Sequence, residues 1–323
     1  MTIKSSGSSL AFSEIESEFG SNGTRSLGSY RLSQNVGSLS NLPLDSGIPT
    51  SGTIKFSDFY SKRLNVVVDC FSGGEETRKI AKNDKWNNNQ LTVVGGFRSQ
   101  KEGGSKIIIN VNKKFCSNKD ATSRCALRTG SWDSSAVVQV DVGSSGRILG
   151  SGGDGGRGAN GIDSSGQAGG TGTSGLGIEV NNVTVNVASG GIIRAGFGGG
   201  GGGGGDRQVD KGEDRRASGG GGGGGAGCPS GQGGAGGTTG AGGQAGSAGN
   251  ETSGGGGGSG GNAGGGQAVG GTGGSGGQAQ GGPGGGSGGG GTNGAAIRRT
   301  SGFSVSINNS GTVSGSTSAT GTS

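Results

Sequence analysis

The second half of the chain contains the stretch GQGGAGGTTGAGGQAGSAG at residues 231–249, in which glycine returns at every third position. The same spacing occurs at residues 152–161, 166–175 and 282–294. A period of three is typical of extended threefold helices, which make no hydrogen bonds within one chain. The chain has only four prolines and the tracts are short and interrupted, which argues against a collagen triple helix. The spacing therefore predicts polyglycine II, a bundle of threefold glycine helices packed side by side.

Steric and polar arguments support a bundle. A glycine that faces a neighbouring helix lets the two backbones approach closely, because no Cβ stands between them. The amide and carbonyl groups must then bond to neighbouring helices wherever they are buried. The alternative is a disordered glycine/serine linker. The strict phase of the glycines, and the β patterns at the tract ends, favour the bundle.

Composition divides the chain into two halves of different amino-acid content. Of its 89 glycines, 72 lie in residues 151–323, whereas both tryptophans, both tyrosines and seven of nine phenylalanines precede residue 150. The first half can bury a small apolar core and the second half cannot. The predicted fold is mainly β with a polyglycine II bundle and a short N-terminal α/β docking module. The predicted domains are 1–62 (docking module), 63–136 (small β-rich domain) and 137–323 (β repeats flanking the bundle with exposed loops).

Two related phrases open the chain: SGSSLAFSEI at residues 6–15 and SGTIKFSDFY at residues 51–60. Each predicts a short strand followed by a helical turn, with Ser13 and Ser57 as N-caps. Helices this short need tertiary contacts, so they are expected to dock against each other or against a larger assembly. The candidate docking residues are Phe12, Ile15, Phe19, Phe56, Phe59 and Tyr60.

A second repeat lies around the glycine tracts. Residues 64–142 contain four runs rich in β-branched residues, which predict strands. The segments 140–150, 185–195 and 305–315 then share alternating apolar residues, a small polar turn and a glycine at 146, 191 and 311. This pattern predicts a strand–turn–strand unit used three times, whose copies pair into one small sheet that clamps the tract ends.

The segments that interrupt the tracts are where side chains can reach a partner. Residues 206–216 are the only dense charged segment in the second half, and residues 250–252 form a smaller interruption. Loops held on a rigid scaffold are a frequent geometry for binding, while the alternative is a solubilising turn. The candidate binding residues are Arg207, Gln208, Asp210, Lys211, Asp214, Arg215, Arg216, Asn250 and Glu251.

Charge and cysteine content limit the other functions. The net charge is +6, and the basic excess lies between Lys62 and Arg128, which suits either an anionic partner or a solvated surface. No aromatic-interleaved basic motif indicates nucleic-acid binding. Cys116 and Cys125 are close enough in sequence to close one loop, although free thiols remain the alternative. With no histidine and no CxxC pair, no metal site is expected. No histidine for a triad, no nucleophile elbow before a helix and no P-loop is present, and the carboxylate spacing selects no pair, so neither a cofactor nor an enzyme is expected.

The start of the chain bears on its location. Residues 1–6 lead into no apolar segment, so no signal peptide is expected. No apolar run approaches 18 residues, so no membrane span is expected either. Synthesis in a host cytoplasm and release by lysis would fit a protein with these properties.

Several of these segments resemble phage tail proteins. LAFSEIESEFG at residues 10–20 and GIPTSGTIKFSDFY at residues 47–60 are similar to an N-terminal module widespread in phage virion proteins. Residues 146–156, and 185–193 with the runs 198–205 and 219–227, resemble the glycine-rich domain of tail-fibre proteins and the tip adhesins of T-even-type phages. Residues 61–136 match no known module.

The resemblance implies a virion tail protein, and a tail-fibre adhesin whose loops between tracts contact the bacterial surface. Its implied partners are other phage tail or fibre proteins, bound through the N-terminal module, and a bacterial surface protein or polysaccharide, and it is expected to be multimeric. One alternative is a purely structural baseplate, neck or capsid-surface component. A remoter one is an ice-binding protein, since snow-flea antifreeze proteins also resemble this pattern; residues 206–216 and the long first half argue against it.

Overall fold

The computed structural model describes residues 3–19, 25–30, 48–49, 51–62, 65–69, 77–79, 92–94, 106–117, 122–130, 137–160, 165–210, 212–263, 268–277 and 288–321. Within these ranges lie helix α1 (Phe12–Phe19) and two 3-10 helices (Leu27–Tyr30 and Phe56–Phe59). The strands are β1 (Asn65–Asp69), β2 (Thr77–Lys79), β3 (Thr92–Val94), β4 (Lys106–Val111), β5 (Lys114–Cys116), β6 (Cys125–Arg128), β7 (Val137–Val142), β8 (Arg147–Leu149), β9 (Ser174–Ile178), β10 (Val183–Val187), β11 (Ile192–Arg194), β12 (Asp206–Asp210), β13 (Glu213–Ala217), β14 (Ile297–Arg299), β15 (Val305–Asn309), β16 (Thr312–Ser314) and β17 (Ala319–Thr320).

Most of the strands form a three-sided β-solenoid. Sheet 1 contains β1, β4, β7, β10 and β15 in parallel, with β3 antiparallel to β1 at its edge. Sheet 2 contains β2, β5, β8, β11 and β16, and sheet 3 contains β6, β9, β14 and β17, again in parallel. Apart from β3, the order in each sheet follows the chain, so each successive coil adds strands to the same sheets.

Alternating side chains fill the interior of the solenoid. In β7 and β10 every second residue is buried, as expected for strands with one face on a core. Ile109, Val140 and Val185 occupy one register position on neighbouring strands, and all three are almost fully buried. Burying a side chain of this size contributes about 1.5–3 kcal/mol, so the stacked coils form the main apolar core.

The predicted β repeat is present, with different pairing. Its two strands lie in different sheets, and its copies pair in parallel across two sheets instead of forming one. Val140 aligns with Val185 as the sequence predicts, but Val185 aligns with Ile307 and not with Val305. The third copy is shifted by two residues because its turn is shorter by that number.

The sequence comparison also missed a copy of the repeat. Strands β4 and β5 form an additional unit, paired with β7 and β8. The strands on either side of residue 136 therefore share sheets 1 and 2, and the predicted boundary at that position is not visible in the pairing.

The N-terminal helices pack against each other around an aromatic cluster of their own. Ile15, Phe19, Tyr30 and Phe59 are fully buried, and the rings of Phe19 and Phe59 lie 6.1 Å apart. The sequence predicts docking of the short helices against each other or against a larger assembly. Within the chain they dock against each other.

The predicted serine caps of these helices are wrong. Helix α1 begins at Phe12, and the amide of Ala11 donates to the Glu14 carboxylate at 2.7 Å. The second phrase repeats this arrangement, because the amide of Lys55 donates to Asp58 at 2.7 Å. Ser13 and Ser57 therefore lie inside the helices. The acid three residues after each cap, Glu14 or Asp58, accepts the hydrogen bond from the cap amide instead.

The glycine tracts are two insertions into the solenoid. Residues 150–173 leave after β8 and return at β9, and residues 195–296 leave after β11 and return at β14. Both insertions therefore connect sheet 2 to sheet 3. Residues 278–287, with the first part of the 282–294 repeat, lie outside the described residues.

The stretch of residues 217–228, here called the central tract, is hydrogen-bonded to six others. Its amides donate in strict rotation, with a period of three, to the tracts 150–159, 268–277 and 241–250. Its carbonyls accept from 195–205, 229–238 and 253–262 in the same way. Each of these six tracts is also bonded to the next, so they close a ring around the central tract. Every amide from Ser218 to Gly225 has a backbone acceptor.

Steric contact explains why the ring requires glycine. A Cβ on Gly221, Gly222 or Gly223 would lie 1.9–2.0 Å from a carbonyl oxygen of a different neighbouring tract. The obstructing atoms are backbone, which cannot rotate away as a flexible side chain would. All three phases of the central tract are therefore restricted, whereas the outer tracts have exposed positions, such as Ala245 and Ala248, that carry side chains.

Replacement of Gly223 by alanine should consequently destabilise the protein by about 1–3 kcal/mol or more, because the added methyl group overpacks rigid backbone. Gly242→Ala is the matched control: its Cβ would meet only the Gly237 carbonyl oxygen, at 3.6 Å. That variant should be neutral or slightly stabilising. Thermal and denaturant unfolding measure both, and equal effects would contradict the packing described.

Candidate functional site

The end of the glycine bundle away from the solenoid, here called the free end, brings together residues from distant parts of the chain. The amide of Thr238 donates to the Asn160 side chain at 3.0 Å, and the amide of Val269 donates to Asp206 at 3.0 Å. Ala217 also forms a parallel bridge with Ala241. These cross-links join turns that lie up to 78 residues apart in sequence, so they form one surface.

The largest feature of the free end is the hairpin of β12 and β13, here called the charged hairpin (residues 206–216). The two strands pair antiparallel from Asp206–Ala217 to Asp210–Glu213, and Gly212 in the turn has φ of 82°, which favours glycine. Its base continues directly into two tracts of the bundle, 195–205 and 217–228. A short hairpin alone would be marginally stable, so these tracts hold its strands at the correct separation.

Ion pairs within the charged hairpin neutralise its own charges. Arg216 and Arg207 both bind the Asp214 carboxylate, at 2.6 and 2.9 Å, and Arg215 pairs with Glu213 at 2.7 Å. The hydrogen bond from Arg216, followed by that from Arg207, lowers the pKa of Asp214 to about 2. The segment contains four basic and four acidic residues, so its surface has no net charge.

Apolar side chains are exposed beside these charges. Val209 on β12 is 61% exposed, and Val269 at the same end of the bundle is 46% exposed. Sequence analysis did not select either residue. The sequence feature that could have identified them is their isolation, because no other valine lies between residues 188 and 304.

The predicted binding residues separate into two groups. Arg207, Gln208, Asp210, Asp214, Arg215 and Arg216 lie on the charged hairpin, and Lys211 lies outside the described residues. Asn250 and Glu251 lie instead at the opposite end of the bundle, beside the solenoid. Asn250 shapes the turn there, since its Oδ1 accepts from the amides of Thr252 and Ser253.

Glu251 attaches this end of the bundle to sheet 2. Its carboxylate binds Lys114, and it binds Arg147 at 2.9 Å, while its carbonyl accepts from Arg194 at 2.9 Å. Burial raises the pKa of Glu251, but the hydrogen bonds and charges of Lys114 and Arg147 outweigh it, so the pKa is lowered. The residue thus holds two parts of the fold together, and the structure does not bring it to the charged hairpin.

The predicted pairing of Cys116 with Cys125 is wrong. Cys116 on β5 is bonded to Cys228, at the end of the central tract and 112 residues away in sequence. Cys125 lies buried on β6, where its Sγ donates to the carbonyl of Ser123. The sequence favours a pairing only through the short distance between two cysteines along the chain. The fold instead brings together coils and tracts that are distant in sequence.

The docking candidates of the N-terminal module are mostly internal. Ile15, Phe19 and Phe59 form its core, and the Tyr60 hydroxyl donates to the carbonyl of Ser8. Phe56 is 40% exposed, and its ring lies 6.1 Å from that of the partly buried Phe12. Phe12 and Phe56 are therefore the members of the set that reach the module's surface.

The described residues contain neither a metal-binding cluster nor a membrane-spanning helix. In the part of the chain that the structure describes, no group of three or more histidine, cysteine, aspartate or glutamate residues is arranged to hold a metal ion. None of the described helices has the length and apolar character needed to cross a bilayer. A hairpin held at the end of a hydrogen-bonded bundle is a frequent geometry for binding.

Comparison with known proteins identifies the family. The model of the family described as phage tail fibre adhesin Gp38 matches residues 75–318, about three quarters of the chain. The chain belongs to this family and is a phage tail-fibre adhesin, a component of the virion tail.

No curated protein matches the chain. Among solved structures, the chain is similar to the gp37-gp38 adhesin tip complex of the bacteriophage S16 long tail fiber, at 19% identity and a TM-score of 0.40. That match covers 96% of this chain and 98% of the other.

Removal of the shared carboxylate should loosen the charged hairpin. In Asp214→Asn both arginines lose their partner, so amide protection in residues 206–217 should fall while the melting temperature of the whole protein stays nearly constant. Glu213→Gln is the control, because it affects only Arg215. Hydrogen exchange followed by mass spectrometry compares the two, and equal protection in both variants would contradict the role given to Asp214.

Acid should have the same effect on the wild type. Because the folded pKa of Asp214 lies below its ordinary value of 3.8, its stabilising contribution is complete above that value. It is lost as the pH falls through about 2. Exchange measurements between pH 5 and 2 should show this loss in wild type, and Asp214→Asn should lack the corresponding step.

Proposed function

We propose that the charged hairpin makes the contact with the host cell surface. The observation that carries this proposal is its position: both strands project from the free end of the bundle, and Val209 and Gln208 are exposed there. Exposed apolar side chains among polar ones are a common feature of binding surfaces. The partner is a bacterial surface protein or polysaccharide, and Val269 contributes to the same surface.

Three parts of the chain have separate roles in this proposal. The glycine tracts are polyglycine II, as supported by their period-three hydrogen bonds and by the six neighbours of the central tract. The described strands of residues 63–136 and the β repeats form the base that holds the tract ends. The bundle then acts as a rigid support, and the glycines bind nothing themselves.

Attachment to the phage is assigned to residues 1–62. The exposed Phe56 and the partly buried Phe12 form an aromatic pair on this module, suited to an apolar site on another tail or fibre protein. The solved S16 structure is a gp37-gp38 adhesin tip complex of a long tail fiber. We extend this association to the present chain, which would be synthesised in the host cytoplasm and assembled into a multimeric fibre. No enzymatic activity is proposed.

Adsorption measurements test the hairpin directly. Val209→Asp should reduce binding of the purified protein to host cells at least tenfold, because a charge replaces the exposed apolar side chain at the centre of the proposed contact. Thr312→Asp is the matched control, since it places the same charge on an exposed strand of the solenoid. Circular dichroism and melting temperature must be unchanged in both variants.

Two results distinguish the proposal from its alternative. Loss of adsorption in Val209→Asp alone supports receptor contact through the hairpin. Equal adsorption of wild type, Val209→Asp and a variant whose residues 207–215 are replaced by a short Gly-Ser turn would contradict it. It would favour a structural role without receptor contact.

A further inference from the structure

We propose that the Cys116–Cys228 disulfide is a redox-dependent lock that fixes the central tract, and with it the charged hairpin, on the solenoid. The two cysteines belong to different parts of the fold, since Cys116 lies on sheet 2 and Cys228 ends the central tract. The bond therefore joins the solenoid to the bundle at one point.

The central tract connects this bond to the free end. At one end it continues from β13 of the charged hairpin, and at the other it reaches Cys228. Twelve residues of a threefold helix span roughly 35 Å at about 3.1 Å per residue. Since hydrogen bonds hold the tract on all sides, it can move only with its neighbours. Fixing its solenoid end thus limits sliding of the hairpin strand that it carries.

Noncovalent contacts bring the two cysteines together without the bond. The amide of Cys228 donates to the carbonyl of Gly150 at 2.8 Å, and the amide of Gly227 donates to that of Asn250 at 3.0 Å. Glu251 binds Lys114 on the same strand as Cys116. The bundle can therefore reach this position with both thiols reduced, and oxidation closes a preformed contact.

The surroundings of the bond favour its persistence. Cys116 and Cys228 are 2% and 8% exposed and pack with Leu149 and the partly buried Ile192. A reducing thiol must reach one of the two sulfurs, which requires local opening of this apolar cluster. Reduction of the folded protein should accordingly be slow.

The chemistry is thiol–disulfide exchange. A cytosol keeps thiols reduced, whereas the medium outside the cell allows disulfides to form. A small-molecule disulfide accepts the two electrons: one cysteine thiolate attacks it and releases one small thiol, and the second cysteine then displaces the other. Two protein thiols and one external disulfide thus give one protein disulfide and two external thiols. The lock would close when the protein leaves the cell.

The test uses the full chain, purified in oxidising buffer. A phosphine reductant should lower the melting temperature of wild type by about 5–15 °C, because the bond closes a long loop. The double variant Cys116→Ser/Cys228→Ser should melt at the temperature of reduced wild type and ignore the reductant. Cys125→Ser is the control, since it leaves the bond intact, and the reductant should lower its melting temperature as much as that of wild type.

Hydrogen exchange locates the effect. Amides of Gly225, Gly227 and Cys228 should exchange at least tenfold faster in the double variant, while those of sheet 1 stay unchanged. An unchanged melting temperature in complete reduction, or alkylation of both Cys116 and Cys228 in particles released by lysis, would overturn the proposal. These readouts do not involve host cells, so their failure is separate from failure of the adsorption proposal.

Discussion

The structure depends on one constraint: each backbone amide inside the glycine bundle must find its acceptor on a neighbouring tract. The amides of the central tract donate to other tracts and not within their own, and an unpaired buried amide costs about 1–3 kcal/mol. From Ser218 to Gly225 eight consecutive amides find acceptors on three tracts in rotation. Backbones can approach this closely only where no Cβ intervenes, so glycine is required by the packing and not merely tolerated in it.

Such a bundle cannot nucleate itself by apolar burial, and the solenoid supplies what it lacks. Two insertions begin on sheet 2 and end on sheet 3, so the stacked coils fix the spacing of four tract ends. Glu251 and the Cys116–Cys228 bond add two attachments at the same end. The opposite end carries no such attachments among the described residues and presents the charged hairpin. An ordered base with a free presenting end suits a tail-fibre adhesin, the family to which the chain belongs.

Periodic features were predictable from sequence and specific long-range pairings were not. The glycine period identified the tracts, and alternating valines identified β7, β10 and their repeat. The two-residue shift of Val305 depends on the length of the turn. Aligning the copies on their shared glycine concealed that the third turn is shorter. Cys228 and Glu251 both meet sheet 2 across more than 100 residues, a contact without sequence periodicity. Composition alone placed Glu251 with the hairpin, since both interrupt glycine tracts.

Amide hydrogen exchange, resolved by residue, tests the bundle most directly. The account predicts continuous protection from Ser218 to Gly225, because every amide there is bonded. In the outer tract 241–250 it predicts protection in two of every three positions, with fast exchange at Gly242, Ala245 and Ala248, which donate to no backbone carbonyl of the described residues. Uniform exchange at random-coil rates in the central tract, or protection without a period of three in the outer one, would contradict it.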